Sequence, residues 1–257
     1  MKQLLLLCTV FFMITGCKEN KTKKQDTSSE WISLFDGSSL DGWRAYNGDS
    51  LPQGWAIVDS VMTFTSVMVS EKDYDYKKSR DIIYGAQEFE NFELYVEWKI
   101  PPGGNSGIFY HIAEGYDGIP EVAPEYQLID DAHYTDFHDI TEYNKSIGIT
   151  ENPQDLHPLQ ATGADYAMYV ADSSKKNLNP AGEWNNSKIV FTPNRVEHWL
   201  NGQLLLSFVP WSEEWNAKKN NGKWQIASDY GIHKKGFIGF QDHSASLWFK
   251  NIKIKQL

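Results

Sequence analysis

The sequence predicts an all-β protein, a two-sheet antiparallel sandwich of the jelly-roll type. Three observations carry that expectation. Segments with period-two alternation and aromatic or β-branched enrichment recur along the chain, each bounded by Gly, Pro, Asn or Asp. Helical periodicity is scarce, so no helical layer is available to cover a sheet. The strand-like segments also number about ten, more than the roughly seven to nine of an immunoglobulin sandwich.

Taken in order, residues 54–64 and 89–100 open the series, the second alternating Phe92, Leu94, Val96 and Trp98 with Glu93, Tyr95, Glu97 and Lys99. Such alternation marks a half-buried strand. Residues 107–112, 125–129, 164–171 and 187–192 follow. Residues 195–200 and 203–209 flank Asn201-Gly202, whose tolerance of positive φ predicts a type I′ hairpin turn. Residues 236–241 and 247–255 end the series. Asp36-Gly37 and Asp41-Gly42 read as further turns. Short helices are expected near 133–144 and near 212–219, the second capped by Ser212.

The chain divides into three parts. Residues 1–16 read as an export signal: Lys2 supplies the positive start, residues 4–14 a short apolar core, and Ile14-Thr15-Gly16-Cys17 a lipoprotein cleavage box. Cys17 is then the acylated N-terminus, and residues 17–30, nearly devoid of apolar side chains, are its flexible tether. Residues 31–257 form the folded domain. On this reading the protein is anchored to the bacterial cell envelope, as a periplasmic or outer-membrane lipoprotein, and meets the membrane through its lipid only. Cys8 and Cys17 are the only cysteines, so the mature domain has neither a disulfide nor a thiol nucleophile.

A formal charge of -10 argues against nucleic acid as a partner, because phosphate recognition needs a cationic face. Ten tryptophans and thirteen tyrosines favour a ligand with a flat apolar face, as a sugar has. Polar residues embedded in apolar runs point to where that ligand sits: Asn105-Ser106-Gly107, Glu125-Tyr126-Gln127, the stretch from His198 to Gly202, and Gln241-Asp242-His243. An unpaired polar group in such a run costs about 1–3 kcal/mol, so their recurrence implies a shared, partly wet cavity. Alternation sets Glu125, Gln127 and Ile129 on one face of their strand and Tyr126 and Leu128 on the other. Gln241 and His243 share a side, with Asp242 opposed. His198 and Trp199 point oppositely; burial favours Trp199 for the core and leaves His198 to the cleft.

Six blocks in these segments resemble the 3-keto-disaccharide hydrolase domain family, long catalogued only as a domain of unknown function. They are LFDGSSLDGW (34–43), FENFELYVEWKIPPGGNSGIFY (89–110), PEYQLIDD (124–131), PAGEWN (180–185), VEHWLNG (196–202) and GFIGFQDHSASLWFKNIKI (236–254). The resemblance implies a concanavalin-type jelly roll that cleaves glycosides oxidised to a ketone at C3, supplied by a partner sugar 3-dehydrogenase. Two segments depart from the family's pattern: residues 67–80 are longer and more charged, and residues 138–163 form an insertion-like loop.

The residues themselves favour unusual chemistry. Retaining glycosidases need two carboxyl groups about 5 Å apart. Glu125 and Asp130 are five positions apart, which sends them to opposite faces of a regular strand. One carboxyl group and a histidine suit removal of a proton beside a carbonyl instead. The expected catalytic pair is Glu125 and His243, with either one the base and the other the acid. Asn105, Gln127, Gln241 and His198 are expected to bind substrate. No cofactor is certain: enolate charge calls for Gln127, Asn105 or a divalent cation held by Glu125 and His243, and no histidine spacing selects a metal. The alternatives are a conventional glycoside hydrolase using Asp130 or Asp131, and a carbohydrate-binding lipoprotein without catalysis.

Overall fold

The computed structural model describes residues 30–66 and 78–257. The expected signal, Cys17 and nearly all of the tether lie outside the described residues, as does most of the charged segment 67–80. No helix among the described residues is long and apolar enough to cross a membrane.

Two antiparallel sheets face each other, as the strand pattern predicts. One contains β1 (Ile32–Phe35), β3 (Trp55–Val58), β4 (Val61–Phe64), β6 (Phe92–Lys99), β9 (Asn185–Thr192), β10 (Arg195–Leu200), β11 (Gln203–Phe208) and β13 (Leu247–Gln256). The other runs β2 (Trp43–Ala45), β5 (Ile82–Tyr84), β12 (Phe237–Phe240), β7 (Asn105–Ile112) and β8 (Glu125–Ile129), in that order. The larger sheet buries alternate residues of β6 and β9 and turns Glu93, Glu97 and Lys188 outward, the signature of a sheet with one wet face. The smaller sheet buries nearly everything on both faces. Its inner face gives Ile108, Tyr110, Tyr126, Leu128 and Phe240 to the main core.

Loops rather than solvent cover its outer face. Two small apolar clusters form there, one around Phe109, Ile112, Ile119 and Val122, the other around Ile129, Tyr134 and Ile140. The second joins Ile129 of β8 and Tyr134 of α1 (Tyr134–Phe137) to Ile140 of the insertion, which carries α2 (Thr141–Ser146). The third helix, α3 (Glu213–Asn221), starts where Ser212 accepts the backbone N–H of Trp215 at 3.2 Å, the expected cap.

The elements differ from expectation in a few places. Residues 54–64 are a hairpin, because Asp59 and Ser60 adopt φ of 50° and 60° and reverse the chain between β3 and β4. The expected hairpin turn is present, with φ of 45° at Asn201 and 80° at Gly202. Residues 164–171 are no strand. The segment caps the outer edge of β8, where Gln127 N–H donates to Ala164 O and Tyr166 N–H to Glu125 O, and then turns back at Ala167, whose φ is 59°. A covered edge cannot recruit another strand. Short β1, β2 and β5 carry too few residues to show a period.

Candidate active site

On the outer face of the smaller sheet, between the two apolar clusters, lies a cavity of about 370 Å³ whose lining includes Asn105, Glu125, Gln127, Gln241 and His243. Five of the six polar residues singled out from sequence therefore converge. Alternation along β8 sends Glu125, Gln127 and Ile129 into it, and Tyr126 and Leu128 into the core.

Glu125 is the centre of the arrangement. It is 3% exposed, and its Oε1 has no hydrogen-bond partner. Room for it exists only because β7 carries a glycine across the ladder. A Cβ on Gly107 would stand 1.9 Å from Oε1 and 2.6 Å from the carboxyl carbon. Burial pushes the carboxyl pKa up to about 8; nearby Lys223 pulls it down, and buried Asp81 and Asp165 push it further up. At neutral pH the group is therefore held largely protonated.

The neighbouring polar groups are fixed in place. Gln127 donates from Nε2 to Asn105 Oδ1 at 2.7 Å, and Asn105 donates from Nδ2 to the Tyr134 hydroxyl at 3.3 Å. Beyond β12 the chain stays against β7: Gln241 N–H donates to Gly107 O at 3.0 Å, and Ser106 Oγ donates to Gln241 O at 2.9 Å. Asp242 turns away, accepting from Arg80 Nε at 3.1 Å, while its own N–H donates to Asp81 at 2.7 Å. His243, two residues beyond Gln241, lines the cavity.

Three further residues complete the wall, and no sequence signal marked them. Lys223 donates to the hydroxyls of Tyr143 at 2.7 Å and Tyr166 at 3.1 Å, and those hydroxyls bond each other. Its ammonium also lies 4.3 Å from the Tyr166 ring centre, a cation-π contact. Tyr143 comes from the insertion, Tyr166 from the segment capping β8, and Lys223 from a short 3-10 turn, Lys223–Ile226, after α3. Only tertiary folding joins them.

His198 is a correction. It is fully buried in the core, packed 4.7 Å from the Tyr126 ring, and its Nδ1–H donates to Gly163 O at 3.0 Å. Burial lowers its pKa to about 4, so it stays neutral. Trp199 takes the outer side instead, where Lys188 covers its ring at 4.0 Å. A large indole half-shielded by a lysine stem satisfies the surface, and the smaller imidazole fits between tyrosines. Asp130 and Asp131 are likewise occupied elsewhere. Asp130 accepts the N–H of Gly103 at 2.9 Å, and Asp131 pairs with Lys176 at 2.7 Å. Among the described residues no three His, Cys, Asp or Glu side chains form a metal-binding set, and Glu125 with His243 falls short of the three protein ligands usual for a catalytic metal.

The cavity on the loop-covered sheet thus brings together an acid, a histidine, two paired amides and a Lys–Tyr cluster, and similarity to known proteins puts the chain among hydrolases of glycosidic bonds. The chain belongs to the family of 3-keto-alpha-glucoside-1,2-lyase-like domains, whose model matches residues 30–255. It is 34% identical over 248 residues to the 3-keto-disaccharide hydrolase of Bacteroides thetaiotaomicron, covering 88% of this chain and 78% of the relative. A Parabacteroides distasonis crystal structure described as a glycosyl hydrolase is 38% identical, covers 92% of this chain and 97% of its own, and superposes with a TM-score of 0.74. A second one from that organism, also described as a glycosyl hydrolase, is 25% identical, covers 89% and 100% respectively, and gives 0.60.

Two measurements check this geometry. Gly107→Ala is expected to destabilise the fold by about 1–3 kcal/mol in urea unfolding, and Gly107→Ala/Glu125→Ala to recover most of that loss, because the overlap needs both side chains. Additive losses would show that the two residues do not share the space. A carboxyl with a raised folded pKa binds a proton that the unfolded chain releases near pH 4.5, so its contribution to stability disappears as pH rises towards about 8. Glu125→Gln is therefore expected to raise the melting temperature at pH 8 and to matter little at pH 4.

Proposed function

We propose that this protein cleaves the glycosidic bond of sugars carrying a ketone at C3, by elimination followed by hydration. The observation that carries the reading is a single buried, protonated carboxyl in a cavity whose other reactive groups are an imidazole and a lysine-backed pair of phenols. The family's description and the name of the Bacteroides relative support the same substrate class.

In this scheme the C2–H bond breaks first, its proton going to His243, and the electron pair enters conjugation with the C3 ketone. Charge on the ketone oxygen falls to donors such as the Lys223-polarised hydroxyls of Tyr143 and Tyr166 and the amide of Asn105 or Gln127. The pair then forms the C1–C2 double bond as the C1–O bond breaks, and Glu125 gives its proton to the departing oxygen. Burial favours Glu125 as the acid, because a carboxyl held protonated at neutral pH has a proton to give. Addition of water across the new double bond completes net hydrolysis.

A conventional twin-acid mechanism finds less support. With Asp130 and Asp131 engaged elsewhere, the other carboxyl residues lining the cavity among those described are Asp117 and Glu121, both exposed. The proposal also extends to cellular context: lipid anchoring through Cys17, and a partner dehydrogenase that oxidises the C3 hydroxyl.

Purified protein given a 3-keto-glucoside and its unoxidised parent is expected to cleave only the ketone, and Glu125→Gln to lose at least about a hundredfold in kcat. Equal cleavage of both substrates contradicts elimination. With Glu125 as the acid, kcat/KM falls as pH rises through about 8; a rise over that range would assign it as the base. Cys17→Ser is expected to move the protein from the membrane to the soluble fraction of cells, and unchanged fractionation would exclude the lipid anchor.

A further inference from the structure

The wet face of the larger sheet carries a pattern that neither the core nor the cavity explains. Register sets Trp199 of β10, Lys188 of β9, Tyr95 of β6 and Lys253 of β13 side by side, an alternating row of rings and lysines spanning roughly 14 Å at the usual strand spacing. Lys253 carries the row on to Trp31, its ammonium 5.0 Å from that ring and 5.0 Å from the Tyr95 ring. A second group lies further along β6 and β13, where Lys250 stands 4.1 Å from the Trp184 ring and Lys99 4.8 Å from the Trp248 ring. Trp31 is 41% exposed, and the other rings are half-buried.

The charge of this face is opposite to that of the molecule. Outward residues of β6, β9, β10 and β13 include six cations, Lys99, Lys188, Arg195, Lys250, Lys253 and Lys255, against three acids, Glu93, Glu97 and Glu197. Each acid is engaged: Lys188 pairs with Glu93 at 3.7 Å, Lys250 with Glu97 at 3.6 Å and Arg195 with Glu197 at 3.0 Å. Lys99, Lys253 and Lys255 remain outside any ion pair among the described residues, in a chain of formal charge -10. Cross-strand pairing accounts for the matched charges and leaves this surplus unexplained.

We propose that this face docks on the anionic phospholipid surface of the membrane that holds the protein. The inference rests on the lipid anchor proposed above. Fourteen positions separate Cys17 from Trp31, and even fully extended they reach only about 50 Å, close to the roughly 45 Å diameter of a domain this size. Trp31, where the chain enters the fold, is also the end of the row of rings and lysines, so the anchor holds that end of the face towards the bilayer. Lysine stems lie along the rings and leave ammonium groups with indole and phenol edges between them, the combination that a headgroup layer favours. The cavity lies on the outer face of the opposite sheet, so docking turns it away from the membrane and leaves it open to substrate.

The test uses the chain without its lipid, residues 18–257, whose core lies entirely within residues 30–257, and vesicles of phosphatidylcholine alone or with phosphatidylglycerol at low ionic strength. Sedimentation is expected to show binding to the anionic vesicles, little to the neutral ones, and release in high salt. Lys99→Gln/Lys253→Gln/Lys255→Gln is expected to lower the partition coefficient roughly a hundredfold, about fivefold for each lysine. Lys145→Gln/Lys175→Gln/Lys218→Gln removes the same charge from loops and helices outside the sheet and is expected to change it by no more than about twofold. No binding to anionic vesicles, equal binding to neutral ones, or an equal loss in this control would overturn the proposal. So would tighter binding of a soluble acidic polysaccharide such as polygalacturonate through the same three lysines, since the occupant would then be a glycan. Fractionation of Cys17→Ser judges the anchor separately, because these vesicles meet a protein that carries no lipid.

Discussion

A carboxyl buried with one oxygen unpaired is the constraint around which this molecule is arranged. Taking such a group out of water penalises its charged form, so it either acquires a partner or stays protonated. Glu125 stays protonated, and three structural features keep it so. Strand β8 turns it to a face that loops have closed. Gly107 leaves the space its carboxyl fills, and two buried acids, Asp81 and Asp165, add like charge nearby. Lys223 opposes them while its ammonium donates to two tyrosines.

Stability and chemistry are assigned to different faces of the same sheet. The inner face of the smaller sheet belongs to a continuous aromatic and aliphatic core that includes Tyr110, Tyr126, Phe240 and Phe249. The outer face is divided into two minor apolar clusters with the polar cavity between them. Those clusters give the covering loops something to bury, which fixes Tyr134, and through it Asn105 and Gln127, in one hydrogen-bonded row. Loops carried on a rigid sheet can vary in length without disturbing the core, and the insertion that supplies Tyr143 is such a loop.

Much of this was legible in the sequence because period two is a strong signal when one face must be dry. It placed Glu125, Gln127 and Ile129 together and set Asp242 against Gln241 and His243. It failed where the signal is shared by opposite outcomes. His198 and Trp199 alternate correctly, but size and burial preference chose the wrong one for the core: the imidazole fits between Tyr110 and Tyr126, and the indole finds cover from Lys188. Residues 164–171 have strand composition, yet they follow β8 for only a few hydrogen bonds before Ala167 reverses them. Lys223, Tyr143 and Tyr166 were invisible for a different reason. They lie 80 and 57 positions apart from lysine to each tyrosine, and nothing local marks residues whose meeting is purely tertiary.

The count of acids in the cavity bears on how a sugar bond can be broken there. Two carboxyl groups facing each other across a bond stabilise a cationic ring, because one protonates while the other supplies negative charge. Here the buried acid is protonated, and the positive charge on the wall belongs to Lys223. A cation beside the reacting ring disfavours an oxocarbenium-like transition state and favours one that builds negative charge. An enolate is such a state. It becomes accessible only if the ring already holds a ketone next to the carbon that loses its proton. The positive charge at residue 223 therefore supports the enolate step of the proposed reaction.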